Sequence, residues 1–223
     1  MLRCLRGRLT DSRQHSSLAA WLIVCSSQPK PDGAMLSHMR ADVEKRRVSV
    51  DEYYAMAEAG ILSRGDRVEL VDGEILAMTP IGPAHASAVD RAANVLMRGA
   101  GEQAIVRVQN PIRLAPFNEP QPDLALLRPA VHAYRTAHPQ PRDILLVVEI
   151  AESSLQYEQH VKGPLYARYG IIEYWLVDLG TQTVSRHTSP DGNAYQDVVV
   201  RGRGELIAPV ALPHCLVSID DLV

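Results

Sequence analysis

The sequence predicts an α/β (α+β) domain: a mixed central β-sheet flanked by helices. Three observations carry that prediction. Segments with helical spacing alternate with short β-prone runs along the chain. Two of those runs flank Asp72-Gly73, the strongest short-range signal for a β-hairpin. The run Ile144 to Ile150 is apolar except for Glu149, as expected of a strand buried on both faces.

The elements follow in order. Ser49 and Glu52 form a capping box, so a helix runs through Tyr53, Tyr54 and Met56 and stops at Gly60. The hairpin spans Arg67 to Met78, and Pro80, Gly82 and Pro83 make a loop. Val89, Ala92, Ala93 and Leu96 recur at helical spacing between Ala84 and Gly99, and Gly101 ends that helix. Strands are expected at Ala104 to Val108, at Ile112 to Leu114 beyond Pro111, and from Pro122-Asp123 to Leu127. The stretch Arg128 to Arg142 is rich in Pro and His and long enough for a functional loop or lid. After the apolar strand, Ser153 or Ser154 caps a helix carrying Tyr157, Val161, Leu165 and Tyr166. Gly163-Pro164 should kink it, and Gly170 should end it. Glu173 to Asp178, Thr181 to His187, Ala194 to Val200 and Leu206-Ile207 complete the β content.

Residues 1–34 differ from the rest. They are rich in Arg and Ser and read as a disordered N-terminal extension or an early start codon. The apolar run Leu18 to Cys25 is too short to span a membrane. Residues 35–223 read as a single domain. Hydrophobic residues make up 46% of the chain and charged residues 22%, as in globular proteins, so no partner membrane is expected. The net charge of -3 argues against a surface coated in basic residues, without excluding a local basic patch. Cys4, Cys25 and Cys215 match neither a zinc spacing nor a disulfide framework, which points to a reducing, cytoplasmic setting.

The chemistry concentrates in one interrupted stretch. Asp123 starts one strand and Glu149 ends another. If the two strands are antiparallel neighbours, both carboxylates fall at one end of the sheet. A carboxylate in an apolar strand costs several kcal/mol if unpaired, so a cation should meet it. Magnesium wants oxygen ligands, and Asp123, Glu149 and the Ile150 carbonyl supply them; manganese is an alternative. Lys162 lies too far along to share the strand and must reach over from the helix, with Glu158 one helical turn before it.

The order Pro-Asp, apolar-run-Glu, Lys is similar to that of the PD-(D/E)XK nuclease superfamily. Further motifs resemble its Uma-type branch of restriction-endonuclease-like proteins, first known as a domain of unknown function. They are Arg67 to Ile75, His85 after a Gly-Pro loop, Gln121 to Ala125, Val147 to Ser154, and Lys162 to Ile171 with Glu173 to Asp178. The resemblance covers roughly Val48 to Val223. It implies a restriction-endonuclease-like core and a metal-dependent endonuclease acting on DNA phosphodiester bonds. Asp123, Glu149 and Lys162 would be catalytic; Glu69, His85 and Glu158 would be auxiliary. The superfamily's usual lysine, two residues after the second acid, is replaced here by Ala151. Glu158 stands where the family commonly has an aspartate. Cleaving both strands of a duplex suits a homodimer.

Other readings are open at this level. Asp123 can cap a turn, Glu149 and Lys162 can form a structural ion pair, and Glu69 can lie on the solvated face of its hairpin. His85 is read first as a helix-start histidine bonding a backbone group. His132, His138 and His160 show no ligand spacing and are expected to face solvent; Tyr174 and Trp175 are expected in the core. Arg107, Arg113 and Arg168 are possible phosphate contacts. Residues 35–223 carry more acidic than basic side chains, which suits a catalytically inactive, nuclease-fold binding module as the alternative function. A hydrolase of small phosphoesters is a third reading, but no Gly-rich phosphate loop supports it.

Overall fold

The computed structural model describes residues 45–63 and 65–223. The expectations for residues 1–34, and the start of the domain at residue 35, lie outside the described residues.

Helix α1 (Val50–Glu58) begins at the capping box. The Ser49 hydroxyl accepts from the Glu52 amide at 3.2 Å and the Glu52 carboxylate accepts from the Ser49 amide at 2.9 Å. Gly60 follows with φ 73, the left-handed backbone that ends the helix. Strands β1 (Val68–Val71) and β2 (Glu74–Ala77) form the expected antiparallel hairpin. Asp72 and Gly73 both have positive φ at its two-residue turn, as a type I′ turn requires.

Helix α2 (Pro83–Ala100) starts with proline in its first turn, where a missing N–H costs nothing. Its buried face is Ala88, Val89, Ala92, Ala93, Leu96 and Ala100. The small side chains let the helix axis approach the sheet closely.

The central sheet has six strands in the order β3-β4-β5-β6-β7-β8. They are β3 (Ile105–Val108), β4 (Leu124–Leu127), β5 (Ile144–Ala151), β6 (Glu173–Asp178), β7 (Thr183–Asp191) and β8 (Ala194–Gly202). All neighbours are antiparallel except β5 and β6. A parallel pair needs a crossover, and the helical segment 155–168 supplies it. All eight residues of β5 are buried. On one face Leu146, Val148, Ile150 and Trp175 pack with α2 and the C-terminal segment. On the other, Val147, Ala151 and Tyr174 pack with Leu165 and Tyr166. Each Leu or Val buried there contributes about 1.5–3 kcal/mol, so this central pair is the anchor of the domain. Strands β9 (Leu206–Ile207) and β10 (Val217–Ser218) form a small separate ladder.

Several expectations need correction. Ile112 and Leu114 are fully buried but form no strand; their amides bond to Pro120 and Asn118 carbonyls in a folded loop. Apolar residues in alternation mark burial, not a ladder. Strand β7 continues to Asp191 because β8 offers it a partner along that length. The loop 128–142 joins β4 to β5 at the end of the sheet opposite Asp123 and Glu149, and it does not line the main cleft. It is therefore no lid. The crossover is helical throughout and irregular just before Gly163-Pro164: α3 (Leu155–Tyr157), a π-helical turn (Glu158–Lys162) and α4 (Gly163–Arg168) follow one another without a break. Neither serine makes a side-chain cap bond at its start.

Candidate active site

The antiparallel register pairs Leu124 with Val148. Asp123 and Glu149 therefore meet at one end of neighbouring strands, as the sequence suggested conditionally. The Asp123 amide donates to Glu149 Oε2 at 3.2 Å, and the Ile150 amide donates to Asp123 Oδ2 at 2.9 Å.

Lys162 arrives from the π-helical turn, where the Gly163 amide bonds to the Glu158 carbonyl. Pro164 has no N–H for the carbonyl one α-turn before it, and the wider turn accommodates that loss. A Cβ on Gly163 would stand 3.3 Å from the Glu158 carbonyl oxygen and 3.4 Å from the Tyr174 ring, so glycine suits the turn. The turn points the lysine at the sheet. Lys162 Nζ lies 3.1 Å from Glu149 Oε1, 3.3 Å from Glu69 Oε2 and 4.0 Å from Glu158 Oε2. All four side chains are buried. Glu69 is thus not on a solvated hairpin face. Its strand β1 is covered, and its carboxylate accepts from the Gln121 amide at 3.1 Å and the Tyr157 hydroxyl at 3.3 Å.

His85 bonds a side chain, not a backbone group: its Nε2 is 3.0 Å from Asp123 Oδ1, which also accepts from Gln109 Nε2 at 3.2 Å. The Tyr166 hydroxyl donates to Glu149 Oε1 at 2.5 Å. Tyr166 and Gln109 escaped the sequence reading as site residues. Tyr166 stands one helical turn after Lys162, a spacing that places both on one face; nothing local marks Gln109.

The electrostatics follow from burial against charge. Burial opposes the Lys162 ammonium, but Glu149, Glu158 and Glu69 outweigh it and hold its pKa well above the usual lysine value. Burial raises Glu149 and Glu158; Lys162 only partly offsets this, and the carboxylates raise one another. For Asp123 burial acts upward too, yet the His85 bond and charge, the Ile150 amide and Gln109 hold it below the ordinary range.

The cluster lies in a cleft of about 450 Å³ whose wall includes Met78, Ile81 and Arg67. Arg107, Arg113 and Arg168 do not line it: Arg113 bonds Glu119 at 2.8 Å, Arg168 bonds Asp72 at 3.0 Å, and one Arg107 nitrogen bonds Asn110 at 3.2 Å. His160 is exposed and His138 half-buried beside Tyr54. Tyr174 and Trp175 are core residues.

The residues present fit a magnesium-type ion. Such an ion takes one or two carboxylates and keeps several waters, and Asp123 and Glu149 are adjacent. Among the described residues no three acidic, histidine or cysteine side chains are arranged to enclose an ion. Burial and the neighbouring carboxylates raise Glu149 and Glu158, and the buried Glu158 Oε2 has no hydrogen-bond partner, so a further cation would stabilise the charged forms of these acids.

The mixed sheet, with a helical crossover between its one parallel pair of strands, has a counterpart among solved structures. It is similar to the crystal structure of a protein from Anabaena variabilis ATCC 29413 described as a putative nuclease belonging to DUF820. The TM-score is 0.62 and the identity 17%, over 78% of this chain and 97% of that one. At that identity the likeness establishes the fold alone. The chain belongs to the Uma2 family, described as putative restriction endonuclease, whose model matches residues 50–219. No curated protein matches the sequence. Among the described residues no helix is long and apolar enough to cross a membrane.

Proposed function

We propose that the chain is a nuclease that hydrolyses DNA phosphodiester bonds with the help of magnesium or manganese. The observation that carries this is the meeting of Asp123 and Glu149 across neighbouring strands, with Lys162 presented to them, at the base of an open cleft. Asp123, Glu149 and the Ile150 carbonyl would hold the ion. A bound divalent ion supplies a water of lowered pKa and polarises a phosphoryl oxygen. Lys162 stays charged and offers its ammonium to the charge that develops on the phosphate. Glu69 and Tyr157 fix the lysine's end of the cluster; His85 and Gln109 hold the Asp123 carboxylate in place.

A second reading has one specific observation in its favour. The oxygens of Asp123 and Glu149 already accept bonds from the protein. A network so satisfied also suits a binding module in which the cluster is structural.

Cleavage of supercoiled and linear DNA, with magnesium, manganese or EDTA, separates the two. Metal-dependent nicking by the wild type that is lost in Glu149→Ala is the expected result. A folded wild type that cuts nothing, and whose melting temperature is unmoved by metal, would overturn the nuclease reading and favour the binding module.

A further inference from the structure

We propose that β8 is a self-pairing edge, and that two copies of this chain join along it into one continuous sheet about a twofold axis at Val199. The inference is independent of the nuclease reading.

Strand β8 is the last strand of the central sheet, and among the described residues no strand pairs with its outer side. It is nine residues long, whereas β3 at the opposite edge has four. A long edge strand is an open row of backbone donors and acceptors. Proteins that keep such an edge single usually blunt it with proline, lysine or a very short strand. Here the strand reads Ala194-Tyr195-Gln196-Asp197-Val198-Val199-Val200-Arg201-Gly202, with neither proline nor lysine. Val198 and Val200 are 50% and 56% exposed, unusual for two valines on one face of a strand.

The sequence of β8 is complementary to itself when reversed. A twofold axis perpendicular to the sheet keeps each face on its own side. A residue can then oppose only a residue of the same face, which limits the register to whole two-residue steps. With the axis at Val199, Asp197 of each copy faces Arg201 of the other, Val198 faces Val200, and Val199 faces itself. A two-residue step either way sets Asp197 or Arg201 opposite an uncharged residue. Opposite charges directly across an antiparallel pair are stabilising and like charges are not. Both charges are available. Asp197 is exposed and Ser189 donates to its Oδ2 at 2.5 Å; Arg201 Nε stands 3.6 Å from Glu205 at the surface. The contact is isologous, so it closes at two copies and does not propagate into a fibre.

Sedimentation of the full chain over a concentration series tests the association. The expected result is a reversible dimer, with Asp197→Arg or Arg201→Asp alone weakening it by about tenfold or more, and Asp197→Arg/Arg201→Asp restoring it. The register has its own test. Directly opposed residues have Cα atoms about 4.5–5.5 Å apart, within disulfide range. In a chain with Cys4 and Cys25 replaced by serine, Val199→Cys should therefore give a covalent dimer on oxidation and Val198→Cys should not. A wild type that stays monomeric at every concentration overturns the proposal. So does a dimer indifferent to both single reversals, or one cross-linked equally by cysteine at 198 and 199.

Discussion

Lys162 Nζ and Glu149 Oε1 lie 3.1 Å apart in the buried centre of the domain, although 13 residues and a change of layer separate them along the chain. Removing the lysine would leave Glu69, Glu149 and Glu158 around an empty position. Lys162→Met should therefore cost about 3–5 kcal/mol, the usual penalty for a buried charge left without its partner. Chemical denaturation measures it. Adding Glu149→Gln to Lys162→Met should recover part of the loss, and strict additivity would mean that the two groups do not interact.

His85 touches Asp123 and no backbone group. Its replacement by alanine should leave the fold intact and weaken metal-dependent cleavage or metal affinity by about 10–100-fold, as for other groups that orient a ligand carboxylate. Titrating magnesium at fixed DNA concentration reads the effect. Unchanged magnesium dependence would remove His85 from the site.

Helix propensity favours alanine over glycine by about 1 kcal/mol, yet Gly99→Ala should destabilise the protein. A Cβ there would clash with the buried Cys215 Sγ and press on its Cβ and Cα. Overpacking of this kind costs about 1–3 kcal/mol and outweighs the propensity. Thermal melting of Gly99→Ala and of Gly99→Ala/Cys215→Ala checks it, because the second variant removes the obstructing sulfur and should be the more stable of the two.

Glu173 is fully buried at the start of β6, where it accepts from Trp175 Nε1 and the Val210 amide, each at 2.7 Å. Burial raises its pKa, and those two bonds and Arg186 only partly oppose the rise. An acid whose folded pKa lies above its unfolded value binds protons more tightly when folded, so its contribution to stability falls as pH rises from about 4.5 through the raised value. Below that window the contribution is constant. The stability of the wild type relative to Glu173→Gln should therefore fall as pH rises through the window. A difference independent of pH would show that Glu173 titrates normally.

The local elements and the identity of the cluster could be read from the chain. The capping box at Ser49 and Glu52, the Asp72-Gly73 turn and the apolar run of β5 each depend on residues within a few positions of one another. A glutamate in an apolar strand demands a cation somewhere, a demand that Lys162 meets. Local patterns could not say what covers each face. Glu69 sits in a hairpin that would be solvated alone, and Tyr157 and Gln121 bury it only after the chain has folded back. Ile112 and Leu114 look like a strand, but no neighbour offers them a ladder. The π-helical turn, which aims Lys162 at Glu149, combines a missing N–H at Pro164 with the packing of Gly163 against Tyr174.

The sequence by itself determined where most helices and strands form and that Glu149, set in an apolar strand, needs a cationic neighbour, because turn geometry, periodicity and the cost of a buried charge act over short distances. Only the tertiary structure decided which oxygen meets which donor, that Glu69, His85 and Tyr166 complete the cluster, and that the 128–142 loop lies at the far end of the sheet. Those outcomes depend on strand order and on contacts between distant residues, which no local pattern encodes.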